Sequence, residues 1–324
     1  MKRNFVLITG ALMASALTLQ AQSGQCTSGT GVQRNACHTA VDLFDYMAPQ
    51  LGAVIAGGNT TLGQGGSMGG LGHFAISVRG NALMGSVPQM QNYNPLINNN
   101  PTNAGSQTIA TKDQVLGLPA VDAAIGIFPG LDLGVTRVGG IDALVNAYYI
   151  PEYSGQGVTV KAPDGSLKFG YGVRVGVLEE GIVTPGLGFS FVKRDLPTVD
   201  IHAQSGLNSF DVKGLDVNTT SWRVTASKSL VVLGLAVGAG QDKYESAAAI
   251  SGSVSGFAGT SASGKQSLTR TNYFADVSMN LMLAKLVAEI GSVSGGDVQT
   301  YNTFSGKAAD ASRLYGSLGL RLGF

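Results

Sequence analysis

The sequence predicts an all-β fold: a transmembrane, antiparallel, up-and-down β-barrel of about twelve strands, with a short helical plug at its N-terminal end. Three observations point there. The 324 residues carry only 13% charged side chains but 47 glycines, well below the roughly 25% charge of an average globular domain. No stretch beyond the N-terminus supplies the roughly 18 apolar residues of a spanning helix, and the apolar residues instead alternate with small or polar ones, as membrane strands require. The connections between these alternating segments switch between short and long over the second half of the chain. Ten or fourteen strands remain possible alternatives.

Residues 1–21 read as a secretory signal peptide: Lys2 and Arg3, an apolar core from Phe5 to Leu19, and a cleavage site at Leu19-Gln20-Ala21. Residues 22–70 form the expected plug or periplasmic segment. Its two cysteines, Cys26 and Cys37, are the only ones in the chain, and in an oxidising compartment they read as a disulfide contributing roughly 2–3 kcal/mol. A metal site is the rival, since His38 adjoins Cys37, but a fourth ligand and paired spacing are lacking. Thr39 to Asp42 resembles a capping box. Val41, Leu43, Phe44 and Met47 then recur at helical spacing until Pro49, which should kink or end the helix. The glycine-rich run 52–72 has too few side chains for a core of its own, and no phosphate-loop pattern follows it.

The barrel is expected over 71–324. Alternation and turn signals place strands near 72–84, 119–128, 131–138, 141–150, 158–162, 166–178, 186–194, 217–228, 230–243, 270–282, 285–294 and 311–324. The clearest is 166–178, where Leu167, Phe169, Tyr171, Val173, Val175 and Val177 alternate with Lys168, Gly170, Gly172, Arg174 and Gly176. Connections near 179–185, 228–230 and 283–284 are short, and those near 85–118, 195–216, 244–269 and 295–310 are long. Short turns belong on the periplasmic side and long loops outside. Tyr148, Tyr149, Tyr153, Tyr244, Tyr273, Tyr301 and Tyr315 fall near strand ends, as interfacial girdles would.

On the face opposite the apolar residues, the lumen would be lined by Arg79, Lys168, Arg174, Arg223, Arg270, Arg313 and Arg321, together with Asp122, Asp142, Asp276 and Glu289. Two readings are open. The charges line a modestly cationic pore and set its selectivity, or they pair with one another and with the plug and fill the lumen.

Little else carries chemistry. The three histidines are His38, His73 and His202. His73 should point into the lumen. His202 lies near Asp200, Ser205 and Asn208, and solvated loop polarity explains this grouping better than a nucleophilic site. No nucleophile elbow, HExxH or EF-hand loop occurs, so no catalytic role, cofactor or metal is expected. A net charge of +1 gives no basic footprint for nucleic acid.

The final strand, with Leu318, Leu320, Leu322 and the terminal Phe324 on one face, resembles the C-terminal strand of bacterial outer-membrane β-barrels. In that family it is the signal read by the barrel-assembly machinery. The resemblance spans 71–324 and implies a Gram-negative outer-membrane location with outer-membrane lipid and that machinery as partners. The plug-plus-barrel layout is similar to FadL-type and porin-like transporters. It implies passive transport of a small, hydrophobic solute past a movable plug. A structural or surface-binding barrel with a closed lumen is the alternative, and an outer-membrane lipid-modifying enzyme the third reading.

Overall fold

The computed structural model describes residues 26–90, 93–94, 96, 100, 102–155, 158–254, 256–259 and 261–323. The expected signal peptide and Phe324 lie outside the described residues.

The long strands are β1 (Phe74–Pro88), β2 (Thr111–Phe128), β3 (Gly140–Tyr149), β4 (Leu167–Leu178), β5 (Gly186–Asp195), β6 (Asn208–Leu230), β7 (Leu233–Val254), β8 (Ala262–Leu281), β9 (Ala284–Val293) and β10 (Arg313–Gly323). Each pairs antiparallel with its sequence neighbour. β10 pairs back onto β1, from Ala75 opposite Gly323 to Leu83 opposite Tyr315. The hydrogen-bonded ladder therefore returns to its start after ten strands, not the expected twelve. The segment 131–138 is only a small hairpin, Leu131–Asp132 against Arg137–Val138, broken at Gly134, whose φ is +86°. The segment 158–162 is a short strand, Val158–Lys161. It joins Val199–Ser205 and Tyr153–Gly155 in a flap on the edge of β6, away from the ring.

Four strands, β2, β6, β7 and β8, run well past what the apolar pattern suggested. The first half of β8 and the last half of β7 are rich in Ser, Thr, Gly, Ala and charge, and in the first half of β6 the apolar residues Phe210, Val212, Leu215 and Val217 change parity at a bulge, so none gives a continuous apolar alternation. They stay paired as a sheet continuing past the apolar belt, with one register shift between Lys213 and Asp216 of β6. The belt is the outward face: Phe74, Ile76 and Val78 on β1, Phe169, Tyr171 and Val173 on β4, Leu235 and Val237 on β7, and Leu318, Leu320 and Leu322 on β10 are all exposed. Alternate residues on the same strands face inward and are buried, many of them charged. This inverts the soluble pattern and matches a barrel in lipid. Of the expected girdle tyrosines, Tyr149, Tyr153 and Tyr273 face outward. Tyr148, Tyr244 and Tyr315 are buried in the lumen because they fall on the inward parity of their strands, and Tyr301 lies in a long loop.

One helix, α1 (Gly31–Ala56), lies inside the ring, packed on β1, β2, β5, β6, β7 and β8. It begins earlier than Thr39. Thr30 is its N-cap, in a reciprocal box with Gln33. It also runs through Pro49. A proline removes the hydrogen bond to the carbonyl four residues earlier, and that carbonyl, Asp45 O, accepts from Gln266 Nε2 of β8 instead, at 3.2 Å. The wall thus supplies what the helix lacks. The Cys26–Cys37 disulfide is formed and packs with Val41 and Ala262.

The helix has a definite polarity. Its first turn lies against Thr102 and Asn103, and Asn35 Oδ1 accepts from Gly105 N, both in the long β1–β2 loop. After Ala56 the chain descends to the other rim, where Gly65 meets Gly186 and Gly70 meets Pro129. There the β6–β7 and β8–β9 turns are two residues each, 231–232 and 282–283. Long loops belong outside the cell, so the stapled loop 26–30 sits at the extracellular mouth, with Thr27 to Thr30 exposed. An epitope inserted between Thr27 and Ser28 should be labelled by antibody on intact cells. Labelling only after outer-membrane permeabilisation would contradict this polarity.

Candidate functional site: the plug and its clamp

The segment after α1, Gly57 to Met68, contains few side chains able to satisfy a buried backbone, and the wall does so in their place. Carbonyl oxygens are held by cations and donors. Arg79 Nη1 donates to Gly57 O at 2.7 Å, Arg223 Nη2 to Ala56 O, Arg194 Nη2 to Gly58 O at 3.3 Å, Arg321 Nη1 to Leu62 O at 2.9 Å and Arg174 Nη1 to Gln64 O at 3.4 Å. Tyr148 Oη donates to Ile55 O, and Asn81 Nδ2 to Val54 O and Gly57 O. Backbone N–H groups are held by acceptors. Asn59 N donates to Glu289, Gly63 N to Asp276, Gly65 N to Ser227 Oγ, Ser67 N to Glu179 and Met68 N to Asp142. Glycine is required where the wall comes closest. Gly58 has φ +76°, and a Cβ there would lie 2.2 Å from Arg79 Nη1. At Gly65 a Cβ would lie 2.7 Å from Gly186 O.

Three of the five cations that hold the thread are themselves anchored. Arg79 pairs with Asp122 across β1–β2, Arg174 with Asp142 across β3–β4, and Arg223 with Asp242 across β6–β7. All six are almost fully buried. Buried charges persist only when paired and hydrogen-bonded.

A second layer seals the outer mouth. The β9–β10 loop (294–312) lies over α1. Asp42 accepts from Tyr301 N, Asn302 N and Asn302 Nδ2 at 2.7–2.8 Å. His38 stacks on Tyr301 and Tyr46 on Phe304, each with ring centroids 3.9 Å apart. Arg313 donates to Ala308 O, and Arg270 to Ala309 O and Ala311 O. A cavity of about 200 Å³ remains between the helix and the flap. Ala36, Ala40 and Leu43 of the helix line it, with Pro88, Phe210 and Val254 of the wall.

Among the expected lining residues, Arg79, Arg174, Arg223, Arg270, Arg313, Asp276 and Glu289 are buried inside the ring. Arg321 is half-buried beside the thread, and Lys168 is half-buried on the inward face of β4. Arg194, which holds Gly58 and Thr60, escaped the sequence reading, although it lies on the inward parity of Gly188, Ser190 and Val192. Asp242 escaped likewise. His73 is exposed before β1 rather than inside the lumen, since the chain enters the ring only at Phe74. His202 is on the flap, where its Nδ1 meets Asp211 Oδ1 at 2.7 Å as a cross-strand pair, and Asp200 accepts from Gly214 N. Asn208 donates to Met90 O. Among the described residues, no group of three or more His, Cys, Asp or Glu could hold a metal ion.

The ring of pairings, the outward belt and the charged interior together decide the class. The chain is a membrane β-barrel. No family model matches it, and no curated protein does. Solved structures similar to it include Ail, the attachment invasion locus protein of Yersinia pestis, in complex with the heparin analogue sucrose octasulfate. That similarity has 13% identity, 78% of this chain and 99% of that one covered, and a TM-score of 0.28. OmpT, an outer membrane protein of Vibrio cholerae, gives 12%, 78%, 96% and 0.20 for the same measures. The outer membrane channel DcaP of Acinetobacter baumannii gives 10%, 81%, 100% and 0.20.

Two outcomes follow from the clamp. Arg79→Ala leaves Asp122 buried and unpaired and should cost about 3–5 kcal/mol, read as a lowered denaturant midpoint in micelles. Arg79→Ala combined with Asp122→Ala should cost less than the sum of the single changes. At the cap, burial pushes the Asp42 carboxyl up to about 6, and burial with the neighbouring Asp42 charge pushes Asp45 up to about 7. Both acids bind protons more tightly folded than unfolded. Their contribution is therefore fully present below the unfolded value of 3.8 and lost as pH rises through 6 and 7. Hydrogen exchange in residues 294–312 should accelerate from pH 5 to pH 8 beyond its intrinsic increase, and Asp45→Asn should reduce that excess.

Proposed function

We propose that this protein is an outer-membrane β-barrel held closed by its own N-terminal segment, serving as a rigid scaffold whose extracellular cap and flap bind a surface partner. The observation that carries this reading is the use of the lumenal charges. Arg79, Arg174, Arg194, Arg223, Arg321, Asp276 and Glu289 all bond the backbone of the thread. A selective pore needs such groups facing water. Nothing in this reading needs catalysis, a cofactor or nucleic acid. Assembly would proceed through the barrel-assembly machinery, with β10 as the recognised strand.

The apolar cavity between α1 and the flap favours a second reading, passive transport of a small hydrophobic solute gated by the plug. The solute would enter at this cavity and leave after the thread rearranges.

A lock separates the two. Asn59 and Thr225 side chains meet at 3.4 Å, so Asn59→Cys with Thr225→Cys would tie the thread to β6. In planar bilayers the full chain should be silent, and a chain lacking residues 22–65 should conduct. In liposomes the intact protein should pass an apolar tracer no faster than the locked one. Tracer flux that the lock abolishes and reduction restores would replace the closed reading with the transport reading.

A further inference from the structure

Three of the four turns on the rim opposite the long loops are apolar where water-facing turns should be polar, while the fourth, 129–139, also exposes Asp132 and Arg137. At the β6–β7 tip stand Val231 and Val232, and at the β8–β9 tip Met282 and Leu283. Ile182 and Val183 occupy the β4–β5 turn. Val231 is 94% exposed, Met282 103% and Ile182 98%. Val231 has φ 41° and Met282 φ 49°. Two-residue hairpin turns with positive φ favour Asn, Asp and Gly, and a left-handed non-glycine residue costs roughly 1–2 kcal/mol. A water-facing tip would gain from the polar residues on both counts.

Several backbone carbonyls at these tips are also satisfied within the protein. Val231 O accepts from Asn280 Nδ2 at 3.0 Å and Val232 O from Asn280 N at 2.7 Å. Lys228 curls over the β4–β5 turn, its ammonium donating to Gly181 O, Ile182 O and Thr184 O at 2.6, 2.8 and 3.2 Å. Turn carbonyls in water need no such partners, whereas in hydrocarbon every backbone polar group must be satisfied internally. The tips also continue the lipid-facing belt without a polar break, through Leu230, Leu233, Leu281 and Leu286, all exposed. On β7 the belt from Leu233 to Ala239 climbs only roughly 16 Å at about 3.4 Å per residue and a tilt near 40°. An outer-membrane belt is about 25 Å tall, and the reversing turn at Val231 and Val232 adds about one residue's rise, bringing the climb to roughly 18 Å.

Resting on the membrane reading above, we infer that the hairpin tips at Val231–Val232, Met282–Leu283 and Ile182–Val183 are immersed in the acyl chains of the periplasmic leaflet. They extend the lipid-facing belt where periplasmic turns would ordinarily meet water. The barrel is therefore seated deep, with its short-turn rim inside the bilayer and its long strands β6 to β8 standing clear of the opposite face.

Fluorescent labelling at single introduced cysteines tests this, since the described cysteines are disulfide-bonded. Met282→Cys and Ile182→Cys would carry an environment-sensitive probe in phosphatidylcholine liposomes, with Val237→Cys as the belt control and Lys307→Cys as the aqueous control. The tip probes should be shielded from iodide at least 5-fold relative to the Lys307 position. They should also be quenched by lipids brominated on the acyl chain, as at Val237. Iodide-accessible tips with a protected Val237 would overturn the inference while leaving the membrane reading intact. Tips shielded from iodide but not quenched by bromolipid would assign the rim to protein contact and also overturn it. An iodide-accessible Val237 would remove the membrane reading and the inference together.

Discussion

The structure depends on one exchange of hydrogen bonds: the barrel wall satisfies the backbone of a thread that cannot satisfy itself. A glycine-rich segment in a closed lumen has neither helix nor sheet for its N–H and C=O groups, and unpaired buried polar groups are costly. Here arginine guanidinium groups take the carbonyls and carboxylates take the amides. The ion pairs across neighbouring strands and the clamp on the thread are one network, because Arg79, Arg174 and Arg223 belong to both. The interior charge that looks suited to a pore is the means of filling one.

The same logic extends up the barrel. Pro49 leaves Asp45 O free and Gln266 takes it. Asp42 anchors the loop over the helix, while Arg270 and Arg313 hold the carbonyls of 308–311. From mouth to rim, the wall positions a chain that runs axially and would have no fold alone. Helix α1 is buried nearly all round, and a helix so placed draws its stability from packing rather than from propensity.

Much of this was legible beforehand, for a physical reason. Strand parity sorts residues into outward and inward sets with period two, so Arg79, Arg174, Arg223, Arg313 and Glu289 could be placed on the inner face without knowing their partners. The strands that departed from expectation did so where parity has no apolar signal. The first half of β6 turns its apolar residues Val212, Leu215 and Val217 inward onto the core, and a bulge between Lys213 and Asp216 breaks their period of two. The segment 131–138 alternates but bends at Gly134, and alternation alone does not distinguish a ring strand from a hairpin in a turn. Arg194 fell at the last residue of an expected strand, where the inward parity was not followed. The helix start was masked because Thr39 and Asp42 imitate a cap, while the functioning cap is Thr30 with Gln33. What the thread bonds to could not be read at all, since backbone acceptors leave no trace in side-chain pattern.

The seam that closes the ring joins the first long strand to the last, β1 to β10, and the N-terminal chain runs through the space it encloses. The molecule is thus a bead on its own string. Its lower end is fixed at Phe74, and its upper end carries a bulky disulfide-closed loop above the lumen. Drawing the string out toward the periplasm would pull that knot and a long helix through the bead. Knotted at one end and tied at the other, the string would stay in the bead even when single clamp bonds open.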